Sequence, residues 1–220
     1  MQVTPEIEIT NEDNIKLMAR YEDNHFDLAI VDPPYGRNIL KKNKFQAHDS
    51  KGTTYSNTSI PDKSYFDELA RVSKRFIVFG MKYMYHMLPP DGSMIIWDKG
   101  ADADLHNMDA CDVAFYSKPS RMRKFYLHWC GAVKCEQEKT IHIHQKPVRI
   151  YEAILRKYAK NGDRILDTHL GSGSIAIALD RMNKIEQMNL TLTACELDKD
   201  YYESAIKRIK QNTNQIAIPL

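Results

Sequence analysis

The chain has few cysteines, no long hydrophobic run and almost no net charge. Its four cysteines (Cys111, Cys130, Cys135 and Cys195) include no C-x-x-C pair, which argues against a disulfide framework and predicts reduced thiols. One spacing, C-x4-C-x6-H-x-H over Cys130, Cys135, His142 and His144, puts two histidines on one strand face. It fits no zinc pattern, and no metal is expected. No apolar stretch approaches the roughly 18 residues of a membrane span. The N-terminus, Met1-Gln2-Val3-Thr4-Pro5-Glu6, has neither a basic head nor an apolar stretch, so no signal peptide is expected and the protein is placed in the cytoplasm. Repeats and low-complexity tracts are absent. The formal charge of +2 is too small to identify a partner, but its distribution is uneven. Arg37, Lys41, Lys42 and Lys44 form one basic run without an acid, and Lys118, Arg121, Arg123 and Lys124 form another. Such runs are ordinarily solvated surface. Two of them also fit a phosphate-facing rim.

The most informative residues follow the apolar run Leu28-Ala29-Ile30-Val31. They are Asp32-Pro33-Pro34-Tyr35-Gly36. A buried strand ending this way carries a carboxylate, two backbone acceptors that need no donor partner, and a flat ring. That set suits a planar amino group: acceptors take its hydrogens, the ring holds its plane, and the nitrogen lone pair stays free to attack. A plain strand-to-loop turn is the bland alternative.

Further along, strands and helices alternate. Strands are expected near 6–9, 27–31, 76–79, 93–97, 113–116, 125–129, 164–167 and 190–196. Helices are expected after Asp13 and over 64–72, from Pro147, and over 174–182 and 201–209. This alternation predicts a parallel, doubly wound α/β sheet. Residues 37–63 are polar and read as a long functional loop. A second loaded turn, Asp167-Thr168-His169-Leu170-Gly171-Ser172-Gly173-Ser174, joins a strand to a helix. A further strand ends at Glu196-Leu197-Asp198, placed to hold two ribose hydroxyls. The third glycine of a dinucleotide fingerprint is missing, because Ala176 stands there.

Taken together these segments resemble the β class of DNA amino-methyltransferases, in which the D-P-P-Y motif precedes the cofactor motif. His142-Ile143-His144-Gln145-Lys146-Pro147 is similar to the family's H-P-T-Q-K-P, and Asp167 to Ser174 to its D-P-F-x-G-S-G-T. Tyr202, Ala205, Arg208 and Ile209 match the helix after Glu196. Phe79-Gly80 and Ile95 to Lys99 are similar to segments of phage and prophage members. Thr168, His169, Ile143 and His144 depart from the pattern; loss of the family's aromatic at 169 affects a cofactor packing contact, for which an imidazole can substitute.

The resemblance implies a single domain over 1–220 with a Rossmann-like, circularly permuted S-adenosylmethionine-dependent methyltransferase fold. Target recognition would lie within about 98–146, aided by a DNA-facing loop at 37–63. It implies catalysis by Asp32, Pro33, Pro34 and Tyr35. The cofactor S-adenosyl-L-methionine would be bound by Asp13, Asp32, Lys146, Asp167, Thr168, His169, Gly171, Ser172, Gly173, Glu196 and Leu197. Double-stranded DNA, with its target base flipped out, would be contacted by Arg37, Lys41, Lys42, Lys44, Arg121, Arg123 and Lys124. Asp32 favours adenine N6 as the target; cytosine N4 and a non-catalytic nucleic-acid-binding relative are the alternatives. Monomer and homodimer both stay open. Tyr126 and Trp129 are expected in the core.

Overall fold

The structure, a computed structural model, describes residues 1–36, 59–100, 109–130, 133–134, 140–142 and 144–214. Arg37, Lys41, Lys42 and Lys44, like most of the 37–63 loop, lie outside the described residues.

Eleven strands and six α-helices run in the order β1 (Gln2–Thr4), β2 (Ile7–Asn11), α1 (Asn14–Met18), β3 (Leu28–Val31), α2 (Lys63–Val72), β4 (Phe76–Val78), α3 (Met81–Met84), β5 (Ser93–Asp98), β6 (Cys111–Tyr116), β7 (Arg123–Tyr126), β8 (Trp129–Cys130), β9 (Val133–Lys134), α4 (Val148–Tyr158), β10 (Arg164–Asp167), α5 (Ser174–Glu186), β11 (Thr191–Glu196) and α6 (Lys199–Thr213) among the described residues. Nine strands form one sheet, ordered β1-β2-β11-β10-β3-β4-β6-β5-β7. The five central strands from β2 to β4 pair in parallel, whereas β6 is antiparallel to both β4 and β5.

The central strands are apolar on both faces, as expected when helices cover both sides. Their side chains alternate between two cores. Leu28 and Ile30 of β3, Ile165 of β10, and Leu192 and Ala194 of β11 join the core formed with α4, α5 and α6. Ala29, Val31, Leu166 and Cys195 join the opposite core, with Leu17, Phe66 and Leu69 of α1 and α2. Each side alone would be too thin; two layers around one sheet bury the whole strand set.

Strand order explains where a site forms. From β10 the chain winds through α5 to β11 on one side; from β3 it winds through α2 to β4 on the other. The winding reverses between β10 and β3, which opens a crevice at their carboxyl ends. β2 lies beside β11, pairing Asn11 with Glu196, so the strand that follows β11 in space precedes it in sequence. This is the permuted arrangement.

Two expectations need correction. The strand expected over 125–129 is β7, ending at Tyr126, followed by β8 in a separate two-stranded sheet. Tyr126 is 66% exposed while Trp129 is 9% exposed: Tyr126 sits on the edge strand, and Trp129 turns back against the core.

Candidate active site

β3 delivers the first half of the crevice. Its four residues are all buried, so the chain emerges from the sheet with Asp32 at the rim. Tyr35 Oη donates to Asp32 Oδ1, and Lys146 Nζ donates to Asp32 Oδ2. Lys146 Nζ also donates to Tyr35 Oη, at 3.2 Å, and lies 4.5 Å from the centre of the Phe79 ring. Burial works against ionising Asp32, but the Lys146 charge and the two hydrogen bonds outweigh it and hold the carboxyl below its usual range. Burial and the neighbouring Asp32 charge push the Tyr35 phenol well up. At neutral pH the group is therefore a carboxylate flanked by an intact phenol and an ammonium.

β10 and β11 deliver the second half. Asp167 ends β10 and accepts from His169 N at 2.9 Å. The turn that follows places Gly173 in the left-handed region at φ 75°, where a Cβ would also meet Ile209 Cδ1 at 2.7 Å. Arg208, buried on α6, donates to Ser172 O at 2.8 Å and Ser174 Oγ at 3.0 Å, pinning the turn from beneath. Glu196 accepts from Gly171 N at 2.8 Å through one oxygen and from Asp198 N at 3.0 Å through the other. Leu197 beside it is exposed.

Electrostatics distinguish the two halves. Burial, reinforced by the charges of Asp32 and Glu196, pushes Asp167 up to about 8. Burial also raises Glu196, against the hydrogen bonds from Asp198 N and Gly171 N. Among the described residues neither carboxyl takes part in an ion pair. A crevice with these two raised carboxyls, a glycine turn and a strand-end acid fits a cationic, ribose-bearing ligand.

The remaining expected residues fall as follows. Asp13 caps α1, accepting from Ile15 N at 3.0 Å and Lys16 N at 3.2 Å. Asn14 beside it reaches His169 Nε2 at 3.1 Å. Thr168 Oγ1 lies 2.6 Å from Tyr65 Oη and 3.0 Å from His169 Nδ1. Burial lowers His169 to about 4, so the imidazole is neutral and hydrogen-bonded at both nitrogens. Lys146 bridges the halves: its side chain engages Asp32 and its carbonyl accepts from Ser174 Oγ at 2.7 Å. Its ammonium therefore stands beside Asp32 and Tyr35, while its carbonyl lies at the start of α5.

Arg121, Arg123 and Lys124 are exposed, and Lys124 pairs with Asp98 at 3.0 Å. Cys135 and Ile143 lie outside the described residues, and among the described residues no group of three or more His, Cys, Asp or Glu could hold a metal. No described helix is long and apolar enough to cross a membrane.

Tyr65, Asn14 and Tyr83 were not among the expected residues, and His142 entered only through its motif. The His142 ring sits over Gly171 and packs edge-on to Tyr201, with centroids 4.5 Å apart. His142 and its neighbours in the H-x-H-Q-K-P run carried the signal; Tyr65, Asn14 and Tyr83 carried none beyond being polar or aromatic near a strand end.

The Rossmann-like sheet carries the Asp32–Tyr35 turn and the Gly171–Gly173 turn on opposite sides of one switch point. Residues 116–207 match a family described as DNA methylase, the N6/N4 methyltransferases. The type II methyltransferase M.HpaI of Haemophilus parainfluenzae is 25% identical, over 91% of this chain and 73% of its own length. In fold, the crystal structure of an M1.HpyAVI–SAM complex superposes with a TM-score of 0.57 at 17% identity, covering 92% of this chain and 98% of that one. The PvuII DNA methyltransferase, cytosine-N4-specific, gives 0.61 at 11% identity, covering 97% and 89%. Residues 116–207 are thus similar to the N6/N4 DNA methylases, and nearly the whole chain shares the fold of the solved methyltransferases.

Proposed function

We propose that this protein methylates the N6 amino group of adenine in double-stranded DNA, using S-adenosylmethionine. The observation that carries the reading is the Asp32 carboxylate, held ionised at the rim by Lys146 and Tyr35, across the switch point from Asp167 and Glu196.

The bound cofactor supplies a methyl group made electrophilic by a sulfonium, so the protein's task is orientation and electrostatics. Glu196 offers its carboxylate to ribose hydroxyls. Asp167 supplies a buried negative charge toward the cofactor's cationic groups. Gly171 and Gly173 allow the positive φ the turn needs, and Gly173 also lets it pack closely on Ile209 of α6. Asp13 stands at the end of β2, available to an adenine amine of the cofactor while it also caps α1.

On the substrate side, the target base leaves the duplex, since its amino group is inaccessible in the stack. Tyr35 stacks on it. Asp32 and the Pro33 carbonyl accept the two amino hydrogens. Both Asp32 oxygens already carry one hydrogen bond, but a carboxylate has about four acceptor sites, so an amine can be added without expelling Lys146. The amino nitrogen would bond to the methyl carbon as the carbon–sulfur bond breaks, leaving a neutral thioether, and the surplus proton would pass to water.

Aspartate as the first residue of the D-P-P-Y turn favours adenine within this family. The PvuII likeness supports cytosine N4 as the second reading. We further propose that 98–146 and the 37–63 loop, with Arg37, Lys41, Lys42, Lys44, Arg121, Arg123 and Lys124, form the DNA-facing rim of one domain. Modification-sensitive sequencing of DNA from cells expressing the protein tests the assignment. N6-methyladenine at one short motif, lost in Asp32→Ala, is the expected result. N4-methylcytosine would replace the leading reading by the second, and methylation undiminished in Asp32→Ala would sink the mechanism.

A further inference from the structure

Stacking a flipped base on Tyr35 needs more than a ring at the right place; the plane of that ring must be fixed before the base arrives. The Tyr35 hydroxyl is tied to Asp32 and Lys146. A phenol held only there can still swing about its Cβ–Cγ axis. A second restraint comes from the corner between β4 and α3, which the mechanism above does not use.

Gly80 begins that corner with φ 72°, and a Cβ on it would lie 2.1 Å from Tyr35 Cε1. The absent side chain is the space the Tyr35 ring occupies. Three residues on, Tyr83 stacks against Tyr35, with centroids 5.1 Å apart and planes 19° from parallel. Lys82 Nζ lies 5.0 Å over the Tyr83 ring and pairs with Asp109 at 2.7 Å. One face of Tyr35 is thus taken by a ring that is itself held from outside. The layers run Asp109, Lys82, Tyr83, Tyr35.

We infer that Tyr83 is a positioning residue for methyl transfer: it fixes the plane of Tyr35 and thereby the plane of the target base. This inference rests on the proposed function of Tyr35. A stacked aromatic pair contributes a free energy equivalent to about two- to twelvefold, so the loss should fall in that range. It should appear in the methyl-transfer step rather than in cofactor affinity, because Tyr83 belongs to the catalytic half.

The test compares wild type with Tyr83→Phe, Tyr83→Leu and Tyr83→Ala on a duplex carrying the methylation motif. Single-turnover rate, cofactor dissociation constant and the fluorescence of 2-aminopurine at the target position are measured. Tyr83→Phe keeps the stack and should match wild type within about twofold. Tyr83→Leu keeps bulk but not the plane; it and Tyr83→Ala should transfer the methyl group about two- to twelvefold more slowly. Their flipped 2-aminopurine should be brighter, because stacking quenches it less, while cofactor affinity stays unchanged. Wild-type rate and fluorescence in Tyr83→Leu would overturn the inference. So would a loss in Tyr83→Phe equal to that in Tyr83→Ala, since the hydroxyl rather than the ring would then be acting. A wild-type protein that neither methylates the duplex nor brightens 2-aminopurine would instead overturn the underlying reading of Tyr35.

Discussion

Cofactor binding should release a proton, and Asp167 is the residue that should release it. Burial holds this carboxyl up to about 8 against an ordinary value of 3.8, so at pH 7 the free protein carries it about nine-tenths protonated. S-adenosylmethionine is cationic, and a cation near Asp167 favours the carboxylate. Binding at pH 7 should therefore expel up to about 0.9 proton, and affinity should weaken about tenfold for each pH unit below 8. The useful window is pH 5.5 to 7.5, where an α-ammonium of ordinary pKa, about 7.7–8.0, is still mostly charged. Calorimetry in buffers of different ionisation enthalpy measures the proton count directly. Asp167→Asn preserves an oxygen to accept from His169 N and removes the titration; its affinity should be flat across the window. Glu196 is raised as well, and a residual slope in Asp167→Asn would measure its share. A wild-type affinity that does not vary between pH 5.5 and 7.5, with no proton released, would refute the reasoning.

Three other outcomes follow from the geometry. Glu196→Ala should weaken cofactor binding by about 1.5–3 kcal/mol, the range for a hydrogen bond to a charged group, and an unchanged dissociation constant would remove Glu196 from the site. Arg75 donates to Asp27 O at 3.1 Å, Tyr158 O at 2.7 Å and Asp163 Oδ2 at 2.5 Å; because both ends of the ion pair are largely buried, Arg75→Met should cost about 3–5 kcal/mol in urea unfolding, and a loss under 1 kcal/mol would show the hub to be dispensable. The raised Asp167 contributes stability to the free protein that is fully present below the usual carboxylate range and lost as pH rises through about 8, so chemical denaturation from pH 5 to 8 should be flatter in Asp167→Asn than in wild type.

The legible parts of this fold are those where one local pattern has one physical solution. β3 is a short buried run followed by Asp32, and β10 and β11 end on Asp167 and Glu196, so each reads as a strand leading to a carboxylate. α2 and α4 carry apolar residues at helical spacing, with Asp62 and Pro147 at their starts. α3, at Met81–Met84, has a single turn and so no period to detect. β7 is an edge strand whose residues are mostly exposed; with one face in solvent, Tyr126 looks like a core residue in sequence and is not. The site divides the same way. Asp32, Asp167 and Glu196 sit at strand ends, where chain order predicts them. The pairing of Lys146 with Asp32 joins residues 114 positions apart, and only the sheet order brings them together.

That pairing changes what the H-x-H-Q-K-P run does. Asp32 emerges from the sheet beside Asp167, and two like charges in a poorly hydrated crevice cannot both ionise cheaply. Lys146 is anchored by its carbonyl to the start of α5 and by its ammonium to Asp32. Burial keeps Asp167 high, and the charge that Lys146 supplies holds Asp32 low. On the proposed reading, the acceptor for a neutral amine is thus ionised before any ligand arrives, while the carboxyl on the cofactor side waits in its neutral form. Lys146→Met should let Asp32 rise, moving the acid limb of the methyl-transfer pH profile upward. If the lysine acts only on the cofactor, affinity drops while the acid limb stays where it was.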